Sequence, residues 1–434
     1  MQNTRKVLML VENMTVPSDP RVWMEATTLR DAGYHVSVIC PKGNTSCKES
    51  YSCIDQIHIY RYPLPAIHRK YIEHVVEFSC ALFMTFLLSF KVFFRHGFDV
   101  IHAANPPDMF FLIGLFYRPF GKKFVFDQHD IAPEMFQVLF GGRVKVLYRL
   151  LRRMEMLSYK TAHLVITTNE TFRWFAIKRG HCQTDKVVIV RNGPDMQRLD
   201  AVELEEPSAL PGRRRYLLGY IGVMGKQDGV EHILYALHDL VYKRDRQDVS
   251  VVLIGEGSAS PKLRELAQKL KLDAYITFTG WLEKKEAFRY LATADIGLQP
   301  DPQNGLNEFC TMIKTMEYMA LGLPIVSFDL VETRFSAQNA ALYAVPNEAE
   351  DFANQIETLL YDEMLRHSMG AFGRKRVERA LSWEHNRKRL LAAYESLFSG
   401  TTAVQLPDEE EAHIQILSAT TGHYATVLRS TRPE

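Results

Sequence analysis

The chain has 434 residues, which suits two or three domains and allows large cores without disulfide or metal staples. Apolar residues make up 47% and charged residues 24%, ordinary globular usage that excludes disordered, collagenous and coiled-coil classes. Lys+Arg number 52 and Asp+Glu 51, so the net charge is near zero and no nucleic-acid partner is expected. The cysteines Cys40, Cys47, Cys53, Cys80, Cys182 and Cys310 form no C-x-x-C pair and no zinc spacing with histidine. They read as free thiols of an intracellular chain. From Lys6 the N-terminus enters a strand-like run without a secretory signal. The longest uncharged apolar run, Phe78–Phe90, has 13 residues and falls short of the roughly 18–20 that span a bilayer.

In chain order, short apolar runs alternate with helical stretches. Val7–Val11, Val36–Cys40, Val100–Ala103, Phe124–Phe126, Leu164–Thr167 and Val187–Val190 suit parallel strands buried on both faces. Ser18 or Asp19 as N-cap, Pro20 in the first turn and Gly33 as stop frame a helix over Arg21–Ala32. The rhythm breaks at the polar linker Leu199–Arg215. It resumes with Leu217–Ile221, Val251–Ile254, Ile276–Thr279, Ile296–Gln299, Ile325–Phe328 and Leu342–Val345. The spacing predicts an α/β protein of two doubly wound, Rossmann-like domains, 1–198 and 216–381, facing across a cleft. A final helix over 382–399 is expected to return to the first domain, followed by a tail over 400–434.

Ligands bind at the carboxyl ends of such strands, so the chemistry is sought there. The first turn, beginning Glu12-Asn13, lacks the G-x-G-x-x-G fingerprint, and there is no P-loop, which argues against dinucleotide and P-loop nucleotide sites. In the second domain Gly222, Gly225 and Lys226 follow a strand, where glycine amides and a cation suit a phosphate. A helix from about Thr311 to Leu321, stopped by Gly322 and Pro324, offers free N-terminal amides near Thr311 and Met312, with Lys314 and Glu317 on one face. Glu317 needs either a ribose hydroxyl or a structural cation as partner. In the first domain His129 ends a strand and suits a reacting sugar or a proton relay, although a histidine so placed is more often a capping or core residue. Asn13, Asn105 and Asp108 stand at neighbouring strand ends and are taken as acceptor-binding residues.

The stretches Asp19–Pro41, Phe98–Asp108, Phe124–Asp130, Val188–Asp195, Tyr220–Leu234, Leu253–Gly257 and Lys314–Val326 together resemble the retaining glycosyltransferases of family 4, with GT-B architecture. The likeness is nearest to members that build bacterial surface polysaccharide or lipid-linked glycans. It implies a nucleoside diphosphate sugar held by the second domain and a glycan or polyprenyl-linked acceptor held by the first. His129 matches the strand-end histidine beside the transferred sugar, and Glu317 the second glutamate of the E-x7-E motif, which binds ribose. Lys226 and Lys314 are assigned to the diphosphate, with Gly222, Gly225, Gly255, Thr311 and Met312 around the donor. The sequence departs from the family pattern at three places. Val223 stands where an arginine is usual, Asp228 where a lysine is usual, and Phe309 where the first glutamate is usual, with Glu308 one residue away.

The expected activity is metal-independent, cofactor-free sugar transfer with retention of anomeric configuration. The rival readings are a sugar-nucleotide epimerase on the same architecture and a non-catalytic nucleotide-sugar-binding partner of another transferase. Basic residues beside apolar runs (Lys91 and Arg95 after Phe78–Phe90; Arg118, Lys122 and Lys123 after Met109–Phe116; Arg143, Lys145, Arg149, Arg152 and Arg153 in a helical stretch) suit docking on anionic lipid. The expected location is cytoplasmic, peripheral on the inner face of the cell membrane.

Overall fold

The computed structural model describes residues 4–43, 47–65, 70–140, 145–200 and 213–399. Most of the expected linker, the tail over 400–434 and Arg143 lie outside them. The chain divides into two compact units. One runs to Arg191 and takes in the final helix from Asn386 onward; the other is Asn192–His385. The boundary falls earlier than the sequence suggests because Met196 and Leu199 are buried in the core of the second unit with Val377 and Leu381.

The first unit is built on an eight-stranded sheet of order β3-β4-β2-β1-β5-β6-β7-β8. Its strands are β1 (Lys6–Leu10), β2 (His35–Pro41), β3 (Tyr51–Ile54), β4 (Ile57–Tyr62), β5 (Val100–Ala104), β6 (Lys123–Gln128), β7 (Leu164–Thr167) and β8 (Val187–Ile189). All neighbours are parallel except the hairpin β3–β4. Its turn places Asp55 at φ 48° and Gln56 at φ 63°, the paired positive φ of a type I′ hairpin without the usual glycine. Neither strand was expected from sequence, since Tyr51–Ile54 is a half-exposed edge with mixed polarity.

Helix α1 (Pro20–Asp31) starts as its sequence predicts: Asp19 accepts the Val22 amide at 3.0 Å and Pro20 opens the first turn. Helix α2 (Lys70–Arg95) has 26 residues, twice the charge-free run. Its stretch Val75–Arg95 has mean hydropathy 1.8 and is long and apolar enough to cross a membrane by length and composition. Ala81 and Val92 nevertheless lie in the unit's core with Phe111, Ile113 and Tyr117 of α3 (Phe111–Tyr117). Burying Val92 contributes about 1.5–3 kcal/mol, so α2 is anchored to the unit at these points, while only 22% of its apolar window is buried. Helices α4 (Ala132–Phe140) and α5 (Lys145–Thr161) follow β6.

The second unit has a six-stranded parallel sheet of order β11-β10-β9-β12-β13-β14. The strands are β9 (Tyr216–Ile221), β10 (Val249–Ile254), β11 (Ile276–Gly280), β12 (Ile296–Gln299), β13 (Ile325–Phe328) and β14 (Ala341–Ala344). The order reverses between β9 and β12, the switch point where a doubly wound sheet opens a ligand crevice. In the first sheet it reverses between β1 and β5. All six cysteines are free.

Candidate functional site

In the first unit a buried charge network lies beneath the ends of β5 and β6. Arg21 donates to Asp127 through Nη2 at 2.8 Å and Nε at 3.3 Å, and to the Val190 carbonyl at 2.8 Å. It also pairs with Glu25 one turn along α1 at 3.1 Å. His102 on β5 is fully buried; its Nε2 meets Asp127 at 3.3 Å and Glu25 at 3.4 Å, and its Nδ1 meets the Tyr394 hydroxyl at 2.7 Å. His129 Nε2 lies 2.5 Å from Asp127, with 16% of its side chain exposed. Burial alone would lower the His102 pKa, but the bonds to Asp127 and Glu25 outweigh it and push it up to about 9. His129 is raised in the same way: burial opposes protonation, and the Asp127 carboxylate overrides it. Burial pushes Asp127 up, while Arg21 and the two imidazoles hold it well below the usual carboxylate range. His129 is thus a strand-end residue whose protonated form Asp127 favours and whose orientation is fixed from below.

Asn105 and Asp108 do not face outward as an acceptor-binding role requires. They are 3% and 4% exposed. The Asn105 side chain accepts from the His129 amide at 2.6 Å and the Asp130 amide at 3.1 Å, and donates to the Asp130 carbonyl and to Asp108, both at 2.8 Å. These bonds make Asn105 the clamp that sets the backbone at His129. Burial, with Glu155 adding to it, pushes Asp108 up to about 8, so it is neutral at pH 7. Asn13 is exposed at the rim of a groove of about 360 Å³ between the end of β1, α2, α4 and α5. Glu12, Phe78, Met135, Leu139 and Leu151 line it. Burial, helped by Glu77, pushes Glu12 up to about 8, so this groove is apolar with a neutral acid at its rim.

In the second unit the loops after β9, β10 and β12 meet. Gly222 has φ 152° and Gly255 φ 126°, and a Cβ on Gly255 would stand 2.0 Å from the Gly222 carbonyl oxygen. The glycines therefore serve loop-to-loop contact, not the approach to a phosphate expected of them. Their amides are occupied as well: Gly222 donates to Ile254 at 3.0 Å, Gly255 to Gly280 at 3.0 Å and Gly225 to the Asp228 carboxylate at 2.8 Å. Lys226 is exposed and makes no ion pair among the described residues. Lys314 is better placed. Its Nζ donates to both Asp301 oxygens, at 2.8 and 3.0 Å, and lies 5.1 Å from the Tyr220 ring centre. An ammonium has three donors, so one remains for a ligand. Burial works against its charge, and Asp301 then Asp228 raise its pKa overall. Burial pushes Asp228 itself up to about 6, with Lys314 holding it back.

The helix Ile313–Ala320 begins after Met312, which caps no amide with its side chain. Its first turn thus presents N–H groups at the end of β12. Thr311 meets Glu332 at 3.3 Å. Glu317 is 11% exposed at its side chain and lies 3.2 Å from the exposed Lys284; it has a cation partner on a mobile stem. Glu308 is buried and accepts from Gln303 at 3.0 Å. The structure thus brings Lys314, Asp228 and the Ile313 helix start together in the second unit, and His129 with Asp127 in the first. Sequence reasoning missed Arg21, Glu25, His102, Asp301 and Tyr394. The Arg21/Glu25 spacing of four residues on one helix face was a usable signal; Tyr394 offered none.

Residues 21–198 match the family model described as Glycosyltransferase Family 4, and residues 215–362 the model described as Glycosyl transferases group 1. A chitobiosyldiphosphodolichol beta-mannosyltransferase of Candida albicans is 19% identical over 386 residues, 82% of this chain and 80% of the relative. Among solved structures, sucrose-phosphate synthase from Thermosynechococcus elongatus superposes with TM-score 0.74 at 18% identity, covering 92% of this chain and 100% of that one. Anabaena HepE in complex with UDP-glucose gives TM-score 0.67 at 14% identity, covering 90% and 99%.

Proposed function

We propose, on the premise that this chain belongs to the family-4 glycosyltransferases of GT-B architecture, that it moves a sugar from a nucleoside diphosphate sugar to a lipid-linked glycan with retention and without a metal. The observation that carries the reading is the pairing, at the switch point of the second sheet, of a lysine only 10% exposed at its side chain with an uncapped helix start. The bond from the anomeric carbon to the diphosphate oxygen breaks, and the departing oxygen gains negative charge. Lys314 and the amides at Ile313 are fixed donors for that charge, the preorganised electrostatic form of catalysis. The acceptor oxygen bonds to the anomeric carbon on the face the leaving group vacates, and its proton passes to the departing phosphate. Glu317 takes the ribose hydroxyls, exchanging Lys284 for them. His129, oriented by Asp127, donates to a hydroxyl of the transferred sugar.

The apolar groove beside Asn13 suits the first isoprenoid units of a polyprenyl acceptor. The Candida relative's name carries a dolichol-linked diphosphate acceptor, which supports that class. Outward from the groove, Phe83 is 57% and Phe94 82% exposed on α2, with Leu115 and Phe116 exposed on α3. Lys91, Arg95, Arg149 and Arg153 of the same unit are exposed as well. Exposed apolar side chains together with exposed cations fit an anionic bilayer surface, which supports a position on the cytoplasmic leaflet.

The test is a panel of UDP-, GDP- and dTDP-sugars with a polyprenyl-diphosphate-linked acceptor in excess EDTA, with the product's anomeric configuration read by NMR. A product with the donor's configuration is expected. Loss of activity restored by Mg2+ or Mn2+ overturns the metal-free route, and an inverted product overturns retention. Free epimerised nucleotide sugar points to the epimerase, and binding without turnover to a non-catalytic partner. Sedimentation with anionic vesicles at low salt, lost in a few tenths molar salt, checks the membrane surface.

A further inference from the structure

A second cluster of chemistry lies in the first unit at the amino ends of its strands. His35 opens β2, His58 is the second residue of β4, and His96 follows the last residue of α2. In the β2–β4 ladder Ser37 stands opposite His58, which puts His35 and His58 on one face of the sheet. The end of α2 brings His96 onto that face. The three rings stack with centroids 4.3 Å apart for His58–His96, 5.0 Å for His35–His58 and 5.3 Å for His35–His96. One nitrogen from each lies within 4.8 Å of the others.

The hydrogen bonds of the rings are arranged in a particular way. His58 Nδ1 meets the Tyr51 hydroxyl at 2.9 Å, and His96 Nε2 meets the Tyr60 hydroxyl at 2.8 Å. Each of these imidazoles therefore has one nitrogen fixed by a phenol and the other left over, the arrangement that orients a metal-ligating histidine. His35 Nδ1 is buried and has no hydrogen-bond partner among the described residues, and a buried polar nitrogen of that kind calls for an explanation. We propose that His35, His58 and His96 form a binding site for one divalent transition-metal ion of the zinc class, separate from the sugar-transfer machinery.

The ligand set selects the metal. Three neutral imidazoles suit Zn2+, Cu2+ or Ni2+, whereas Mg2+ and Ca2+ require oxygen ligands. A tetrahedral Zn2+ about 2.0–2.1 Å from each nitrogen sets the nitrogens roughly 3.3 Å apart, which small ring rotations reach from the present spread. Two cations, Lys6 and Arg95, stand beside the cluster. The same cations weaken attraction for a dication: Lys6 Nζ donates to the His96 carbonyl at 2.5 Å, and the Arg95 guanidinium lies 5.4 Å from the Tyr51 ring centre. The expected affinity is accordingly lower than that of a three-imidazole site without these cations, and Arg95→Gln is expected to tighten it. β2 runs seven residues from His35 to Pro41, so the cluster stands about 20 Å from the carboxyl ends where His129 and the groove lie. A bound ion would tie β2 and β4 to the end of α2.

The probe is zinc sulfate added to the full chain, with binding followed by calorimetry and by the imidazole resonances of the 15 histidines. We expect one Zn2+ per chain and shifts confined to three histidines. Outer-shell changes at metal sites cost about 10–100-fold in affinity, so His58→Gln and His96→Gln, which remove ligands, are expected to cost at least about a hundredfold. His367→Gln, at an exposed histidine on another helix, should leave the affinity unchanged. Absence of Zn2+ binding in the wild type, or affinity unaltered in both ligand variants, overturns the proposal and leaves an aromatic stack. Should a variant fold poorly, the wild-type resonances decide by themselves: shifts at histidines other than these three overturn it equally.

Discussion

Asp127→Asn is the most informative single change in the first unit. The carboxylate gathers Arg21, His102 and His129, all bonded to it at 2.5–3.3 Å. Breaking a buried pair of this kind costs about 3–5 kcal/mol. The cost should depend on pH, and the sign follows from His102. Its pKa is about 9 in the folded chain against an ordinary 6.5, so its contribution is complete below pH 6.5 and disappears as pH rises through 9. A gap of 2.5 units corresponds to about 3 kcal/mol at roughly 1.4 kcal/mol per unit. His129 shifts in the same direction and adds to the trend, while Glu25 retains some of the His102 shift in the variant. The stability advantage of wild type over Asp127→Asn should therefore shrink by up to about 3 kcal/mol between pH 6 and pH 9.5. Urea unfolding followed by the methyl signals of Val100, Ile101 and Val125 measures it within this unit, free of the two-unit complication. A wild-type advantage that stays constant, or grows with pH, would refute the network as drawn.

Three further outcomes are expected. Lys314→Ala should weaken nucleoside diphosphate binding more than nucleoside monophosphate binding, measured by calorimetry, because the diphosphate alone reaches the ammonium; equal losses would move the diphosphate elsewhere. Glu12→Gln should match wild-type stability below pH 4.5 and exceed it by a few kcal/mol above pH 8, since burial raises this carboxyl to about 8 and ionisation then costs folding free energy. Gly255→Ala should destabilise the second unit by at least about 1–3 kcal/mol, the cost of a non-glycine residue at a disfavoured φ, with the contact at the Gly222 carbonyl adding to it; an unaltered melting curve would contradict the loop crossing.

Much of the architecture is legible from residue patterning because strands buried on both faces read as apolar runs. Ile296–Gln299 and Ile325–Phe328 occur with the bounds their sequences suggest. The hairpin β3–β4 was not legible, because Asp55-Gln56 takes the left-handed turn without glycine and the edge strand is half wet. The site divides along a similar line. His129 stands out as a polar residue at the end of an apolar run, and Lys314 as a cation in the first turn of a helix that shares a face with Glu317. What surrounds them depends on contacts across long sequence separations, such as His102 with Tyr394 or Lys314 with Asp301, and local spacing carries no trace of those. The glycines after β9 and β10 misled for a related reason: a glycine required by another loop and one required by a phosphate look identical in sequence.

The helix Trp383–Ser399 has a consequence for how the protein comes off the ribosome. Tyr394 completes the hydrogen bonding of His102, and Phe398 lies under the Arg5 and Lys123 side chains, 4.0 and 5.7 Å from its ring centre. The first unit is translated first, yet these closing side chains emerge only after the whole second unit has been made. Domains generally fold as units during synthesis, N-terminal first; here the N-terminal unit must wait, with a buried histidine short of its phenol and part of its surface uncovered. During that interval it is a natural client for chaperones, and a stop codon shortly before Tyr394 would injure the domain made earliest rather than the one made last.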